Sequence, residues 1–192
     1  MIGSPAKKPK GSPSRLELCH LGGVLDVWTG GRLGGAGTVG STVVSGTIAP
    51  GNSIGTLNVA GNITFNPGST YEVEIDAAGA SDRIVATGTA TINGGSVKVL
   101  AGAGNYAQQT QYTILTAAGG RSGTFAGVTS NLAFLDPALG YDANNVYLTM
   151  RRNGTSFTNV GLTWNQLPPG GGVASPGPGN PVHNAALSLS AD

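Results

Sequence analysis

Apolar and polar side chains alternate residue by residue through short stretches of the chain. Tyr71, Val73 and Ile75 take one side while Thr70, Glu72, Glu74 and Asp76 take the other, the period-two signature of a strand with one buried face. The same split recurs at Leu57/Val59, Ile63/Phe65, Ala90/Ile92, Val97/Val99, Tyr112/Ile114 and Val146/Leu148/Met150. Asn66-Pro67-Gly68-Ser69 and Asn93-Gly94-Gly95 supply turn chemistry between such runs. The pattern predicts an all-β protein of many short strands. A sandwich and a solenoid both satisfy it. The wet positions are mostly small Thr, Ser and Asn, which stack on themselves in successive coils, and this favours the solenoid. The repeat is loose: Gly-Thr pairs stand at Gly37-Thr38, Gly46-Thr47, Gly55-Thr56, Gly88-Thr89 and Gly123-Thr124, with no constant spacing.

Composition sharpens this picture. Of 192 residues 33 are glycine, and only 10% are charged, which leaves a helical bundle without the Glu, Lys and Arg that wet helix faces need. No apolar run approaches the ~18 residues of a membrane-spanning helix. Texture divides the chain into three. Residues 1–30 hold three prolines, the basic run Lys7, Lys8 and Lys10, and an apolar stretch (Leu16, Leu18, Leu21, Val24, Leu25, Val27, Trp28) that fits neither period, so this segment is expected to be irregular and disordered. Residues 31–152 are the folded part, and residues 36–150 are expected to form about five parallel coils. In 153–192, Pro168, Pro169, Pro176, Pro178 and Pro181 alternate with glycine and predict a linker.

The net charge of +1 and the absence of a basic stripe argue against nucleic acid as a partner. Cys19 has no second cysteine to pair with, and Cys19, His20 and His183 do not make a zinc ligand set. Met1 to Lys10 is followed by no apolar h-region, so the chain alone is expected to carry no export signal.

Three motifs invite a chemical reading. Gly35, Gly37 and Gly40 spell G-x-G-x-x-G, but a strand-like run, Ser41 to Gly46, follows where a dinucleotide site needs a helix. Gly51, Ser53 and Gly55 spell G-x-S-x-G, with Asp136 or Asp142 and then His183 in hydrolase order; here too a strand pattern, Ile54 to Val59, replaces the helix of a nucleophile elbow. Glu72, Glu74 and Asp76, with Asp82 nearby, form an acidic row that could hold calcium or cleave a polysaccharide, against the plainer reading of a solvated face. Asn62-Ile63-Thr64 and Asn153-Gly154-Thr155 match the N-glycosylation pattern.

The stretch Gly46-Thr47-Ile48-Ala49-Pro50-Gly51-Asn52-Ser53-Ile54-Gly55-Thr56-Leu57-Asn58-Val59-Ala60-Gly61 resembles the passenger-associated transport repeat of Gram-negative autotransporters, the type V secreted proteins. Later phrases resemble the segments that follow it: Gly68 to Ile75, Asp82 to Ala90, Gly95 to Val99, Tyr112 to Leu115, Gly123 to Phe125 and Val146 to Arg152, so that the resemblance runs in order over roughly 31–166. Thr163 to Gln166 and Asn184 to Asp192 resemble the start of a connection into a membrane barrel.

The resemblance implies a right-handed parallel β-helix at the C-terminal end of a passenger, acting as an autochaperone for secretion through the outer membrane to the cell surface. It implies an outer-membrane β-barrel in the same chain of the intact family protein. Signal peptide and barrel are both missing from this sequence, which is therefore expected to be a fragment. No catalytic, cofactor-binding or metal-binding residue is expected, and the chain is expected not to be an enzyme. Packing residues carry the role: Leu57, Val59, Ile63, Phe65, Val73, Ile75, Ile92, Val97, Val99, Ile114, Phe125, Leu148 and Met150. The alternatives are an adhesin-type module with a host-surface ligand, a serine hydrolase and a polysaccharide-acting solenoid.

Overall fold

The computed structural model describes residues 23–153. Three strands form each coil. The first coil holds β1 (Leu25–Val27), β2 (Arg32–Gly35) and β3 (Gly37–Val39); the second holds β4 (Thr42–Val44), β5 (Thr47–Pro50) and β6 (Thr56–Val59). The third holds β7 (Ile63–Phe65), β8 (Thr70–Ile75) and β9 (Arg83–Ala86), and the fourth β10 (Ala90–Ile92), β11 (Ser96–Ala101) and β12 (Gln109–Ala117). A partial fifth coil adds β13 (Arg121–Gly123) and β14 (Gly127–Ser130), after which β15 (Leu135–Tyr141) and β16 (Asn145–Arg152) form a hairpin. Three sheets run along the stack, in the orders β1-β4-β7-β10-β13, β2-β5-β8-β11-β14 and β3-β6-β9-β12-β16-β15. This is the expected all-β parallel solenoid, a β-helix.

Register carries each inward side chain onto its counterpart one coil away. Val27, Val44, Phe65 and Ile92 align in the first sheet, Leu33, Ile48, Tyr71, Val97 and Val128 in the second, and Leu57, Ile84, Leu115 and Val146 in the third. The thirteen packing residues read from the alternation are all buried in one continuous core. At its centre the Phe65 and Phe125 rings meet edge to face at 5.0 Å, a favoured aromatic geometry. The buried Tyr71 hydroxyl donates to the Ile114 carbonyl at 2.5 Å, which satisfies a polar group that burial would otherwise penalise.

Corners are tight, and glycine makes them so. A Cβ on Gly46 would lie 2.3 Å from the Trp28 carbonyl oxygen and 2.4 Å from that of Gly31, so the second coil can lie against the first only with no side chain there. Coil length is not constant. Corresponding residues Leu25, Thr42, Ile63, Ala90 and Arg121 are separated by 17, 21, 27 and 31 positions, because the loop after the second sheet lengthens through the first three coils, β8 and β11 are longer than β2 and β5, and β12 begins well before the residues that pair with β9. That growth is why the sequence repeat is loose.

Two sequence expectations change. The stack begins at Leu25, inside the segment read as irregular, because Leu25-Asp26-Val27 pairs in parallel with Thr42-Val43-Val44; the rest of the disorder expected for 1–30 lies on residues outside the described ones as far as 22. The stack does not stay parallel to 150. β16 pairs antiparallel with β12, and β15 antiparallel with β16, since a short turn at residues 142–144 reverses the chain where another parallel strand would need a whole further coil. A register shift between Thr113 and Leu115 lets Ile114 and Leu115 both point inward and joins the parallel and antiparallel halves of β12. Asn153 N donates to the Phe134 carbonyl; the remainder of the expected linker 153–192 lies outside the described residues.

Replacing Ile114, fully buried, by Ala is expected to cost about 2–5 kcal/mol through the cavity it leaves, whereas Val24→Ala, at a side chain 68% exposed, should stay within about 0.5 kcal/mol. Chemical denaturation of the two variants checks this; equal midpoints would mean that Ile114 does not face the core.

Candidate functional site at the corner of the second and third coils

The tempting polar residues converge at the corner between the second and third sheets. The G-x-S-x-G segment is the turn from β5 to β6. Gly51 exchanges both backbone bonds with Gly35 of the first coil, at 3.0 and 3.2 Å, and takes φ +81°, a left-handed conformation natural to glycine. Its missing Cβ matters as well, since one would sit 1.8 Å from the Ser53 carbonyl oxygen and 3.0 Å from Asp82 Oδ1. Below this turn, in the third coil, residues 74–82 fold back on themselves: Ile75 bridges Ser81 antiparallel, Asp76 N donates to the Ala80 carbonyl at 3.0 Å, and Ala80 N donates to Asp76 Oδ1 at 2.8 Å.

Asp82 ties the two loops together. Its Oδ1 accepts from Gly55 N at 2.8 Å and its Oδ2 from Glu74 N at 2.9 Å, while its own N donates to the Glu74 carbonyl at 2.8 Å. Only 1% of Asp82 is exposed. Burial pushes its carboxyl up to about 6; the two backbone donors oppose the shift, and the neighbouring Glu74 carboxylate adds to it.

The acidic row does not act as one unit. Glu72 lies outward between Arg32 of β2 and Lys98 of β11, accepting from both, the latter at 3.2 Å. Partial burial alone would raise its carboxyl, but these two cations hold it below the ordinary range. Asp76 is spent on its own turn and Asp82 points inward. Among the described residues no three of His, Cys, Asp and Glu gather so as to hold a metal ion.

Of the hydrolase constellation, the described residues place the serine and the two candidate aspartates on different parts of the stack. Ser53 is exposed on the second coil and is followed by β6, not by a helix. Asp136 and Asp142 sit on the C-terminal hairpin. Asp136 Oδ1 accepts from Asn153 Nδ2 at 2.9 Å, and Asp142 is held low by Asn145 Nδ2, the Tyr147 hydroxyl and the backbone N–H of Asn144, so that it braces the hairpin turn. His183, Cys19 and His20 lie outside the described residues. Gly35 and Gly37 flank the bend from β2 to β3, and Gly40 follows β3 at the turn into β4, again strand to strand. At the first glycosylation pattern, Asn62 Oδ1 accepts from Thr89 N at 2.8 Å and the Asn62 N–H donates to Ser41 Oγ, a corner stack across three coils.

Sequence reasoning missed two features. Asp82 was grouped with the outward acids although it keeps phase with the inward Ile84 and Ala86, which was the available signal. The C-terminal closure was missed too. Arg121 of β13 donates to the Asp142 carbonyl at 3.0 Å and lies 4.8 Å from the Tyr141 ring centre, Tyr141 Oη accepts from Phe125 N, and Arg152 donates to Asn105 and to the Tyr106 carbonyl. The hairpin is thereby fastened over the last coils.

Gly51 and Gly68 provide a paired test, for their φ values are +81° and +82°, but a Cβ on Gly68 would meet nothing within 4 Å. Gly68→Ala should cost roughly 1–2 kcal/mol for the left-handed backbone alone, and Gly51→Ala clearly more. Thermal unfolding of both would show it, and equal losses would mean that the turn leaves room for a Cβ at Gly51.

No family model matches this chain. Over 71% of its length it is 40% identical to an extracellular serine protease of Serratia marcescens, and over 60% it is 33% identical to a second Serratia marcescens protein of the same name. The chain spans 14% of the length of the first and 12% of the second, so it is homologous to one segment of each.

Proposed function

We propose that the chain is a β-helical passenger segment of an autotransporter, secreted or displayed at the cell surface, whose closed C-terminal end is the template on which earlier coils fold. One observation carries this reading: the stack ends on its C-terminal side in the antiparallel β15–β16 hairpin, fastened by Arg121, Tyr141 and Arg152, whereas the first coil carries no such fastening among the described residues, although β13, β14 and β15 pair on one side only as β1, β2 and β3 do. A stack of coils gains stability from each neighbour added to an existing end. The hairpin breaks the parallel coil pattern at one end, while at the other the described strands keep it and offer three edges for a further coil. Homology to segments of two proteins named extracellular supports the setting. In this reading the working residues are core residues, the chain itself catalyses nothing, and its partners are an outer-membrane barrel of the same polypeptide and a host-surface ligand. The proteolysis in the relatives' name belongs to whole proteins of which this chain matches a small part.

Template action has a kinetic consequence. Leu148, buried in β16, belongs to the end that forms first, so Leu148→Ala should slow refolding about tenfold or more. Val39, equally buried in the first coil, should on replacement by Ala speed unfolding and change refolding by less than about twofold. Stopped-flow refolding and unfolding in denaturant distinguishes the two. The reverse assignment would mean that folding starts at the open end and that the template reading is wrong.

A further inference from the structure

We propose that Asp82 is a proton-operated clasp between the second and third coils: ionised, it grips both the Gly51–Gly55 turn and the 74–82 hairpin, and protonated, it lets go of the turn. The geometry supplies the reason. Each carboxylate oxygen receives one backbone N–H, from Gly55 at 2.8 Å and from Glu74 at 2.9 Å, so both are acceptors. A proton on either oxygen turns it into a hydroxyl, a much poorer acceptor with a donor of its own, so the N–H that faces it loses most of its bond.

The two bonds are not equal partners. Glu74 and Asp82 are eight positions apart on one hairpin and share a second bond, from Asp82 N to the Glu74 carbonyl. Gly55 comes from another coil, 27 positions away. The local bond is therefore kept and the proton settles on Oδ1, at the cost of the Gly55 contact. The turn remains tethered by Gly51 to Gly35 and by Arg83 N to the Gly55 carbonyl, so the release is local.

The titratable and charged groups around the carboxyl come from the elements packed against it. On β8, Glu74 disfavours a second negative charge, and the buried Tyr71 phenol, whose own ionisation burial and Asp82 oppose, stays neutral. On the hairpin, Asp76 is engaged with Ala80. On β9, the Arg83 guanidinium turns away to Thr116 Oγ1 at 3.0 Å, and the Gly51–Gly55 turn brings no charge of its own. Asp82 thus has no cation among the described ion pairs, and its raised carboxyl brings titration into the mildly acidic range. Neutralisation relieves a desolvation cost while it gives up one hydrogen bond; because the folded carboxyl titrates above the unfolded one, global stability rises as the pH falls through about 6, and the loosening is read locally at Gly55.

Nuclear magnetic resonance on the full chain tests the clasp. Between about pH 7.5 and pH 5, the Gly55 and Glu74 amide protons and the Asp82 carboxyl carbon should move with one shared midpoint. Amide exchange at Gly55, taken relative to Ile84 at the same pH, should speed up about five- to tenfold on the acid side. Asp82→Asn should remove the titration and leave Gly55 fast at both ends. A midpoint near the ordinary Asp value of about 3.9, separate midpoints for the three nuclei, or Gly55 protection that holds through the range would overturn the proposal. The wild-type titration decides the matter even if the variant does not fold.

Discussion

Each strand of this protein is too short to stand without its neighbour. With three or four residues in β1 to β7, a strand buries two inward side chains and closes a few backbone bonds, far less than the entropy of ordering it. Stability therefore comes from the coil-to-coil contact, in which inward residues stack in register and the backbone groups of one coil are satisfied by the next. The isolated coil is not a stable unit, and the ends of the stack are where the physics changes.

The two ends are finished differently. At the C-terminal end the chain reverses, β16 returns antiparallel along β12, and Arg121, Tyr141 and Arg152 tie the hairpin to the last coils. Both ends leave an unpaired edge in each of the three sheets among the described residues, but no such hairpin covers the first coil there, and Val24 and Trp28 beside it are the large apolar side chains most exposed, at 68% and 73%. An unpaired edge is a place where another strand adds. A single asymmetry thus links packing to the proposed role, because growth by nearest neighbours has a direction only if one end is closed.

Much of this was legible in the sequence, and the limits have physical causes. Period-two alternation places Val73, Ile75, Val97 and Val99 inward whatever strand lies beside them, so the buried set and the fold class follow from local pattern. The length of the coils does not follow, since both loops and strands lengthen along the chain while the inward register is kept, and the Gly-Thr pairs mark different places in the coils. Direction was hidden as well: Val146, Leu148 and Met150 alternate identically in a parallel or an antiparallel partner. Leu25-Asp26-Val27 is a strand only because Thr42-Val43-Val44 lies beside it. The corner site was half visible. Glycine at 51 and 55 and acids at 72 to 82 stood out, but that Asp82 turns inward, beneath a turn contributed by another coil, depends on a contact across 27 positions.

The central proposal is that the stack is polar, fastened by its C-terminal hairpin and, among the described residues, without such a fastening at its first coil. Native-state hydrogen exchange resolved along the chain tests it most directly, since amides open in units whose free energies report local stability. The account predicts the highest protection in β12 and β16, a decline through the third and second coils, and the lowest in β1, β2 and β3. Equal protection at both ends in a monomeric protein, or a maximum in the first coil, would contradict it.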